Sequence, residues 1–325
     1  MRYRLINWLQ TLSGIGRSLL LKMLCLLFLI RTSKMREKNF FLHVGYAKAG
    51  SSLMGEWLAA NPAFCFSDFS IGGFASTAEL MDIALQDTAQ PEYYVLRDMR
   101  FSVPRYEKED FLVNGKIKEH QKGVCSLLNA LFPSAKVLIV TRGYKSIISA
   151  NYSQHVKEGG TLRAEDIFNY SGFVRDLFDY SYLIQLYRTA FGKENVIVLP
   201  YEFLKENPTA FFSKIEAELG LPHYPFTSKI VNPSLNAVEA KYLLKINSMV
   251  EFIARVGGSP GARFKNWYKL KRWKDAFKDT AENKSNVANG NQPLVHVPSE
   301  LLSELSQNSY LLKEYAVFEN YLSFY

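Results

Sequence analysis

Cysteine and histidine are scarce in this chain of 325 residues, which contains three cysteines and five histidines. Cys25, Cys65 and Cys125 are widely spaced and form no C-x-x-C pair, so we expect neither a zinc knuckle nor a disulfide framework. The histidines are scattered, and the sequence predicts no metal site. Internal repeats and low-complexity tracts are also lacking, and 48% of the residues are hydrophobic. This composition excludes a largely disordered or collagen-like chain and a polytopic membrane protein.

Excess charge is confined to one end of the chain. Residues 1–38 contain eight basic residues and one acidic residue, whereas residues 39–325 contain 31 basic and 30 acidic residues. A nucleic-acid-binding domain spreads lysine and arginine over a folded face. The nearly balanced body therefore predicts no nucleic-acid partner.

Residues 1–38 form a basic, apolar leader. Its apolar run, Ser18–Ile30, is interrupted by Lys22 and is shorter than the roughly 20 residues of a membrane-spanning helix. The run ends at Arg31 without the small residues of a signal-peptide cleavage site. We favour an interfacial helix in peripheral contact with an anionic membrane, which would place the protein in the cytoplasm at the inner membrane face. A type-II membrane anchor and a non-structural segment, with Met35 as the true start, are the alternatives.

Short apolar runs typical of buried strands are followed by stretches with helical periodicity. Strands are predicted at residues 40–44, 135–141 and 195–199, and helices at residues 52–60, 145–157 and 208–219. This alternation implies parallel pairing through crossover helices, so we predict an α/β fold, a three-layer sandwich with a central parallel sheet. From about residue 236 the pattern is helical, and polar breaks are predicted at residues 257–261 and 279–293.

The turn between the first strand and its helix has the character of a phosphate cradle. A glycine-containing turn presents backbone N–H groups and a helix N-terminus, which together suit a phosphate. Gly45 and Gly50 have the P-loop spacing G-x-x-x-x-G. The P-loop pattern then requires lysine, where this chain has Ser51, and the lysine stands earlier, at Lys48. The turn therefore lacks the arrangement that holds a triphosphate with Mg²⁺. A purely structural turn is the alternative.

A second basic residue follows another predicted strand. Arg142 comes directly after residues 136–141. The carboxyl ends of parallel strands lie on the side of the sheet where ligands bind. The Arg142 guanidinium is therefore suited to clamp a second phosphate with paired hydrogen bonds.

These segments resemble the cofactor-binding motifs of sulfotransferases that use 3′-phosphoadenosine-5′-phosphosulfate (PAPS). Gly45-x-x-Lys48-x-Gly50-Ser51-Ser52 resembles their 5′-phosphosulfate loop, K-x-G-T/S-T/S, and Arg142 with its helix resembles their 3′-phosphate element, R-x₇-S-x-Y. Residues 199–208 are similar to the strand and Y-E-x-L segment, and residues 231–235 to a segment of bacterial members. The resemblance covers residues 39 to 235.

Two positions depart from the family pattern. Ala150 stands where the 3′-phosphate serine is expected, with Ser149 one position earlier, whereas Tyr152 fits the pattern. Ala47 stands where many members have proline.

The resemblance implies a P-loop-like fold, a single sulfotransferase domain over residues 39–325, and sulfuryl transfer from PAPS to a hydroxyl or amine. The acceptor would be a small molecule or a glycan, with a carbohydrate or lipid-linked acceptor favoured. Lys48 is the implied catalytic cation. The implied cofactor-binding residues are Gly45, Lys48, Ala49, Gly50, Ser51, Ser52, Arg142 and Ser149. No metal is required.

The general base is open among four residues. We favour Asp98, which follows the apolar residues 93–96, over Asp68 and Glu79 in the loop-rich region after the first helix. His155, on the helix after Arg142, is the fourth candidate.

The basic and aromatic stretch Arg263–Lys278 has two interpretations. It is either a solvated helix face or a lid that binds the acceptor. Two other functions also remain open: a nucleotide or sugar kinase with a divergent P-loop, and an inactive nucleotide-binding scaffold, which Ala150 favours.

Overall fold

The computed structural model describes residues 38–68, 91–103, 116–227, 235–274 and 294–325. Its strands are β1 (Phe40–His43), β2 (Phe64–Asp68), β3 (Tyr93–Arg97), β4 (Lys136–Thr141) and β5 (Val196–Pro200). The helices are α1 (Ser51–Ala60), α2 (Lys116–Leu131), α3 (Tyr144–Lys157), α4 (Ser171–Leu177), α5 (Tyr180–Phe191), α6 (Tyr201–Glu206), α7 (Pro208–Leu219), α8 (Ala237–Val256), α9 (Gly258–Lys274) and α10 (Ser299–Gln307). Short 3₁₀ helices include Met99–Phe101 and the C-terminal Leu322–Phe324. The leader, apart from Lys38, lies outside the described residues.

The five strands form one parallel sheet in the order β2-β3-β1-β4-β5. Strands β1, β4 and β5 read as almost continuous apolar runs and are buried, as expected where helices cover both faces of a sheet. On one side α1 packs on α7, with Trp57 stacked on Phe212 at 4.7 Å between ring centroids. On the other side α2 packs on α5, where the Asn129 side chain donates to the Ala190 carbonyl. The predicted α/β sandwich with a central parallel sheet is confirmed.

Most predicted elements agree with the structure to within about one residue. Strand β2 and helices α2, α4, α5 and α6 were not predicted from the sequence. We expected Asp68 to lie in a loop, but it is the last residue of β2. The short alternating run that forms β2 lies directly after Asn61-Pro62, and it is paired along its whole length with β3.

The predicted polar break at residues 257–261 is wrong except at Gly257, because α9 begins at Gly258. Pro260 lies in the first turn of α9, where proline is tolerated. A Cβ on Gly261 would lie 2.4 Å from the Ile253 carbonyl oxygen. The glycines thus permit a tight corner between two helices, and no extended loop is needed. The second predicted break, at residues 279–293, lies outside the described residues.

The C-terminus packs against the centre of the molecule. Tyr325 lies edge-on to Tyr144 and Tyr180, and its hydroxyl hydrogen-bonds Thr141 at the end of β4. This aromatic cluster lies beneath the carboxyl end of β4 and fixes the residues that follow it. Within the described ranges, none of the helices combines the length and apolarity that crossing a bilayer requires.

Candidate active site

The loop between β1 and α1 has the geometry of an anion cradle. Lys48 has φ 67°, a left-handed conformation that is rare outside glycine, and Gly50 follows with φ 85°. The Ala49 N–H donates to the Tyr46 carbonyl at 3.2 Å, which closes a turn. Helix α1 begins at Ser51 with no side-chain cap on its N-terminus and no acidic residue in its first turn. Its first N–H groups therefore suit a bound anion.

Two of the glycines in this loop are required by close packing. A Cβ on Gly50 would lie 2.4 Å from the Leu204 side chain of α6. A Cβ on Gly45 would lie 2.6 Å from His43 Nε2. His43 is fully buried, and burial, with Arg97 nearby, lowers its pKa to about 3. A neutral imidazole thus supports the loop from below, a role that the sequence analysis did not identify.

Arg142 joins the end of β4 to this loop. Its guanidinium donates to the Lys48 carbonyl and, at 2.9 Å from Nε, to the Ser146 hydroxyl. The same guanidinium lies over the Tyr201 ring, 4.4 Å from the centroid. The loop, the arginine and the Y-E-x-L segment, which are far apart in sequence, therefore meet at one place.

The Y-E-x-L segment also holds the end of β4. Glu202 accepts hydrogen bonds from the Gly143 N–H at 3.0 Å and from the Tyr325 hydroxyl at 3.1 Å. A Cβ on Gly143 would lie 2.6 Å from Phe324 Cβ. The chain end and α6 thus fix the backbone next to Arg142. No sequence motif indicated the contact with the chain end.

Positive charge is concentrated around the loop. Burial lowers the pKa of Lys48, the charge of Glu158 raises it, and the charge of Arg142 lowers it. Burial also lowers the pKa of Arg142. The pKa of Lys157, in the last turn of α3, is lowered by burial and by the charge of Lys48. Cations that oppose one another in a partly desolvated place are stabilised by a bound anion.

The hydroxyl that hydrogen-bonds Arg142 differs from the one that the motif indicated as a ligand of the 3′-phosphate. Ser149 is half-buried on α3, whereas the partner of Arg142 is Ser146, one helical turn nearer. Arg142 precedes α3 by two residues and Ser146 is in its first turn, so this contact joins the turn after β4 to the start of the helix. Tyr152, which fits the motif, is buried and stacks on His155 with 6.4 Å between ring centroids.

Asp98 follows β3 and is buried, with 2% of its side chain exposed. Its carboxylate oxygens accept three hydrogen bonds from the Arg100 guanidinium and one from the Arg100 backbone N–H. His120 Nε2 hydrogen-bonds the Arg100 carbonyl at 2.7 Å. In this structure Asp98 caps the short 3₁₀ helix and orients Arg100.

The other base candidates lie in different environments. Asp68 ends β2 and is in register with Arg97, which is in turn in register with His43 of β1. Glu79 lies outside the described residues. His155 accepts a hydrogen bond from the Leu162 N–H at 3.3 Å, and burial lowers its pKa. His155 therefore organises the turn after α3. It lies near the C-terminal end of that helix, whereas Arg142 precedes the N-terminal end.

A cavity of about 460 Å³ opens beside the N-terminal half of α1. It is lined by Ser51, Ser52, Gly55, Glu56, Ala59, Phe66, Arg97 and Met99. Arg97 is 8% exposed, donates to the Ser51 carbonyl and lies 5.3 Å from the Phe66 ring centroid. The cavity thus shares the first residues of α1 with the anion cradle. In the part of the chain that the structure describes, no three metal-ligating side chains cluster.

Fold and site together define an α/β protein with a P-loop-like anion cradle at the carboxyl ends of its strands. The chain matches no protein-family model. No curated protein matches it either.

Three solved structures that are similar to the chain are sulfotransferases, the family that the motifs resemble. One is from Alicyclobacillus acidocaldarius, with 18% identity, a TM-score of 0.44, and coverage of 72% of this chain and 96% of that one. Another is mouse sulfotransferase SULT7A1 complexed with PAP, with 15% identity, a TM-score of 0.36 and 67% of each chain covered. A third is STF9 from Mycobacterium avium, with 11% identity, a TM-score of 0.36, and coverage of 96% and 90%.

Proposed function

We propose that the protein is a sulfotransferase that moves the sulfuryl group of PAPS to a hydroxyl or amine. The observation that carries this proposal is the hydrogen bond from the Arg142 guanidinium to the Lys48 carbonyl. It joins the two motifs on which the resemblance rests into one half-buried cationic site. A doubly phosphorylated nucleotide has two anionic ends, and each cation suits one of them.

The proposed chemistry is an in-line displacement at sulfur. The acceptor oxygen attacks sulfur while the bond between sulfur and the bridging phosphate oxygen breaks, and 3′-phosphoadenosine-5′-phosphate (PAP) leaves. Negative charge grows on that bridging oxygen. Lys48 and the N–H groups at residues 50–52 would stabilise it. Arg142 and Ser149 would bind the 3′-phosphate. These cations take the place that a metal ion has in nucleotide-triphosphate chemistry.

The acceptor proton requires a base, and Asp98 and Asp68 remain our proposals. Adjacent strands are about 4.8 Å apart, so Asp98, after β3, is one strand from β1, and Asp68 is two strands away. For Asp98 the base role requires that Arg100 release one carboxylate oxygen. If Asp98 is the base, Asp98→Asn lowers turnover by orders of magnitude with little change in PAP affinity. A mild effect on turnover would favour Asp68.

We propose the cavity beside α1 as the acceptor site. It shares Ser51 and Ser52 with the anion cradle, and it combines apolar Phe66 and Met99 with polar groups. Such a mixture suits a ring that carries hydroxyl groups, and the volume is that of a small-ligand pocket. A carbohydrate or lipid-linked hydroxyl is the acceptor that we favour.

Thermal unfolding with two nucleotides tests the proposal. PAP is expected to raise the midpoint of unfolding, because a ligand that binds only the folded state stabilises it. ATP with Mg²⁺ is expected to have little effect. Arg142→Gln provides the control and should lose most of the shift with PAP. Stabilisation by ATP with Mg²⁺ alone would contradict the proposal and favour a kinase.

A further inference from the structure

Exposed apolar side chains are concentrated on one part of the molecule. Among the described residues, eight of the eleven large hydrophobic side chains that are exposed belong to α8 and α9. They are Val238, Tyr242, Met249, Phe252, Ile253, Val256, Phe264 and Trp267. We call these eight residues the hairpin face. A soluble surface rarely gathers so many large apolar side chains in one place.

The members on α8 form a single stripe. Tyr242, Met249 and Val256 follow Val238 by four, eleven and eighteen residues. Residues with these spacings lie on one side of a helix. The only polar position in this line is Lys245, whose long side chain is able to extend past an apolar surface. Val238, Tyr242, Met249 and Val256 are 60% to 78% exposed. The apolar side of α8 therefore faces outward.

The inward side of α8 is fixed by polar contacts. Asn247, which is buried, donates to the carbonyls of Val156 and Gly160 at the end of α3. Ala240 and Val250 are buried on the same side. On α9, Phe264 and Trp267 stack with 5.9 Å between ring centroids and remain exposed. The stripe on α8 and the Phe264–Trp267 pair thus keep much of their surface exposed.

The net charge of the helical hairpin formed by α8 and α9 differs from that of the rest of the chain. Residues 237–274 contain nine basic and two acidic residues. With residues 1–38 also set aside, the rest of the chain contains 22 basic and 28 acidic residues. The body is therefore nearly neutral because the positive charge of the hairpin and the negative charge of the remainder cancel. Lys241, Arg255 and Arg263 are exposed beside the hairpin face.

We propose that the hairpin face binds the surface of an anionic lipid bilayer. Aliphatic and aromatic side chains flanked by lysine and arginine are the pattern of an interfacial membrane contact. The leader, which is also apolar and basic, would be repelled by the hairpin and attracted to the same surface. A second copy of the hairpin would bring two basic faces together. The acidic remainder would be held away from the bilayer, which orients the molecule.

A fluorophore on the hairpin face reports this contact without interference from the leader. The full chain carries Met249→Cys, with Cys25 and Cys65 replaced by serine, and a polarity-sensitive label is attached. Cys125 is buried, and burial raises its pKa to about 12, so that it does not compete for the label. We expect a blue shift with vesicles of phosphatidylcholine and phosphatidylglycerol and a smaller one with phosphatidylcholine alone. The matched control, a label at the exposed Tyr310→Cys, should not shift.

Charge reversal provides the second test. In the full chain, Lys241→Glu, Arg255→Glu and Arg263→Glu are each expected to weaken vesicle binding about fivefold or more. Thermal unfolding of the free variants should be unchanged because these side chains are exposed. No shift of the label at position 249, or a shift unaffected by charge reversal, would overturn the proposal. So would a label that responds to an acidic polysaccharide or to protein concentration and not to vesicles.

Discussion

Replacement of Lys48 by glycine should separate catalysis from stability. Lys48 is the one non-glycine residue with positive φ in the described chain, and its φ is 67°. A side chain in the left-handed region costs roughly 1–2 kcal/mol. Glycine removes this strain, although its greater freedom in the unfolded chain offsets roughly 0.5–1 kcal/mol. Lys48→Gly should therefore raise the free energy of unfolding by about 0.5–1 kcal/mol.

The same substitution should abolish most of the transfer. Loss of one group that stabilises developing charge in an enzyme lowers turnover roughly 10²- to 10³-fold, and we expect at least this for Lys48→Gly. Removal of the lysine also relieves its repulsion with Arg142, which adds to the gain in stability. Lys48→Ala is the matched control: it loses the same cation but keeps a Cβ at positive φ, so its stability should be lower than that of Lys48→Gly by about 1 kcal/mol.

Chemical denaturation and a PAPS turnover assay measure the two effects on the same preparations. Lower stability of Lys48→Gly than of Lys48→Ala would contradict the prediction, because the backbone strain would then not exist. Turnover of Lys48→Gly close to that of the wild type would refute the catalytic role of the lysine.

Three further predictions follow from the site. Ser146→Ala removes a partner of Arg142, so it should lower the free energy of unfolding by about 1 kcal/mol and should also lower PAP affinity. Ser149→Ala should lower only PAP affinity, as measured by calorimetry. Gly50→Ala should destabilise the protein by more than about 2 kcal/mol, since φ 85° and a contact at 2.4 Å both oppose a Cβ. PAP affinity should fall as pH rises through the lowered pKa of Lys48, because only the charged amine attracts phosphate. Over the same range the unliganded protein should gain stability, since the unfolded state then binds more protons.

The sequence predicted the parts of the fold whose signals are local. Buried strands such as residues 136–141 are continuous apolar runs, and the glycines at 45 and 50 mark a turn. Strand β2 was missed because its five residues alternate only briefly. The motif indicated Ser149 as a ligand of the 3′-phosphate, and the contact of Arg142 with Ser146 was not predicted.

Long-range contacts could not be read from the chain. Nothing in the sequence indicates that Tyr325 reaches Glu202. The sequence indicated only residues 263–278 as a basic stretch, because an acidic remainder cancels the charge of α8 and α9 in any sum over the whole body. These features depend on which surfaces the fold brings together.

Recognition of the 3′-phosphate by Arg142 is the most direct test of the account. Calorimetry should compare PAP with adenosine 5′-phosphate, which lacks only that group, in the wild type and in Arg142→Gln. A charge-assisted contact contributes about 1.5–3 kcal/mol, so the wild type should prefer PAP about tenfold to a hundredfold, and Arg142→Gln should lose most of that preference. Equal affinity of the wild type for the two nucleotides, or an unchanged preference in Arg142→Gln, would contradict a PAPS site built on Lys48 and Arg142.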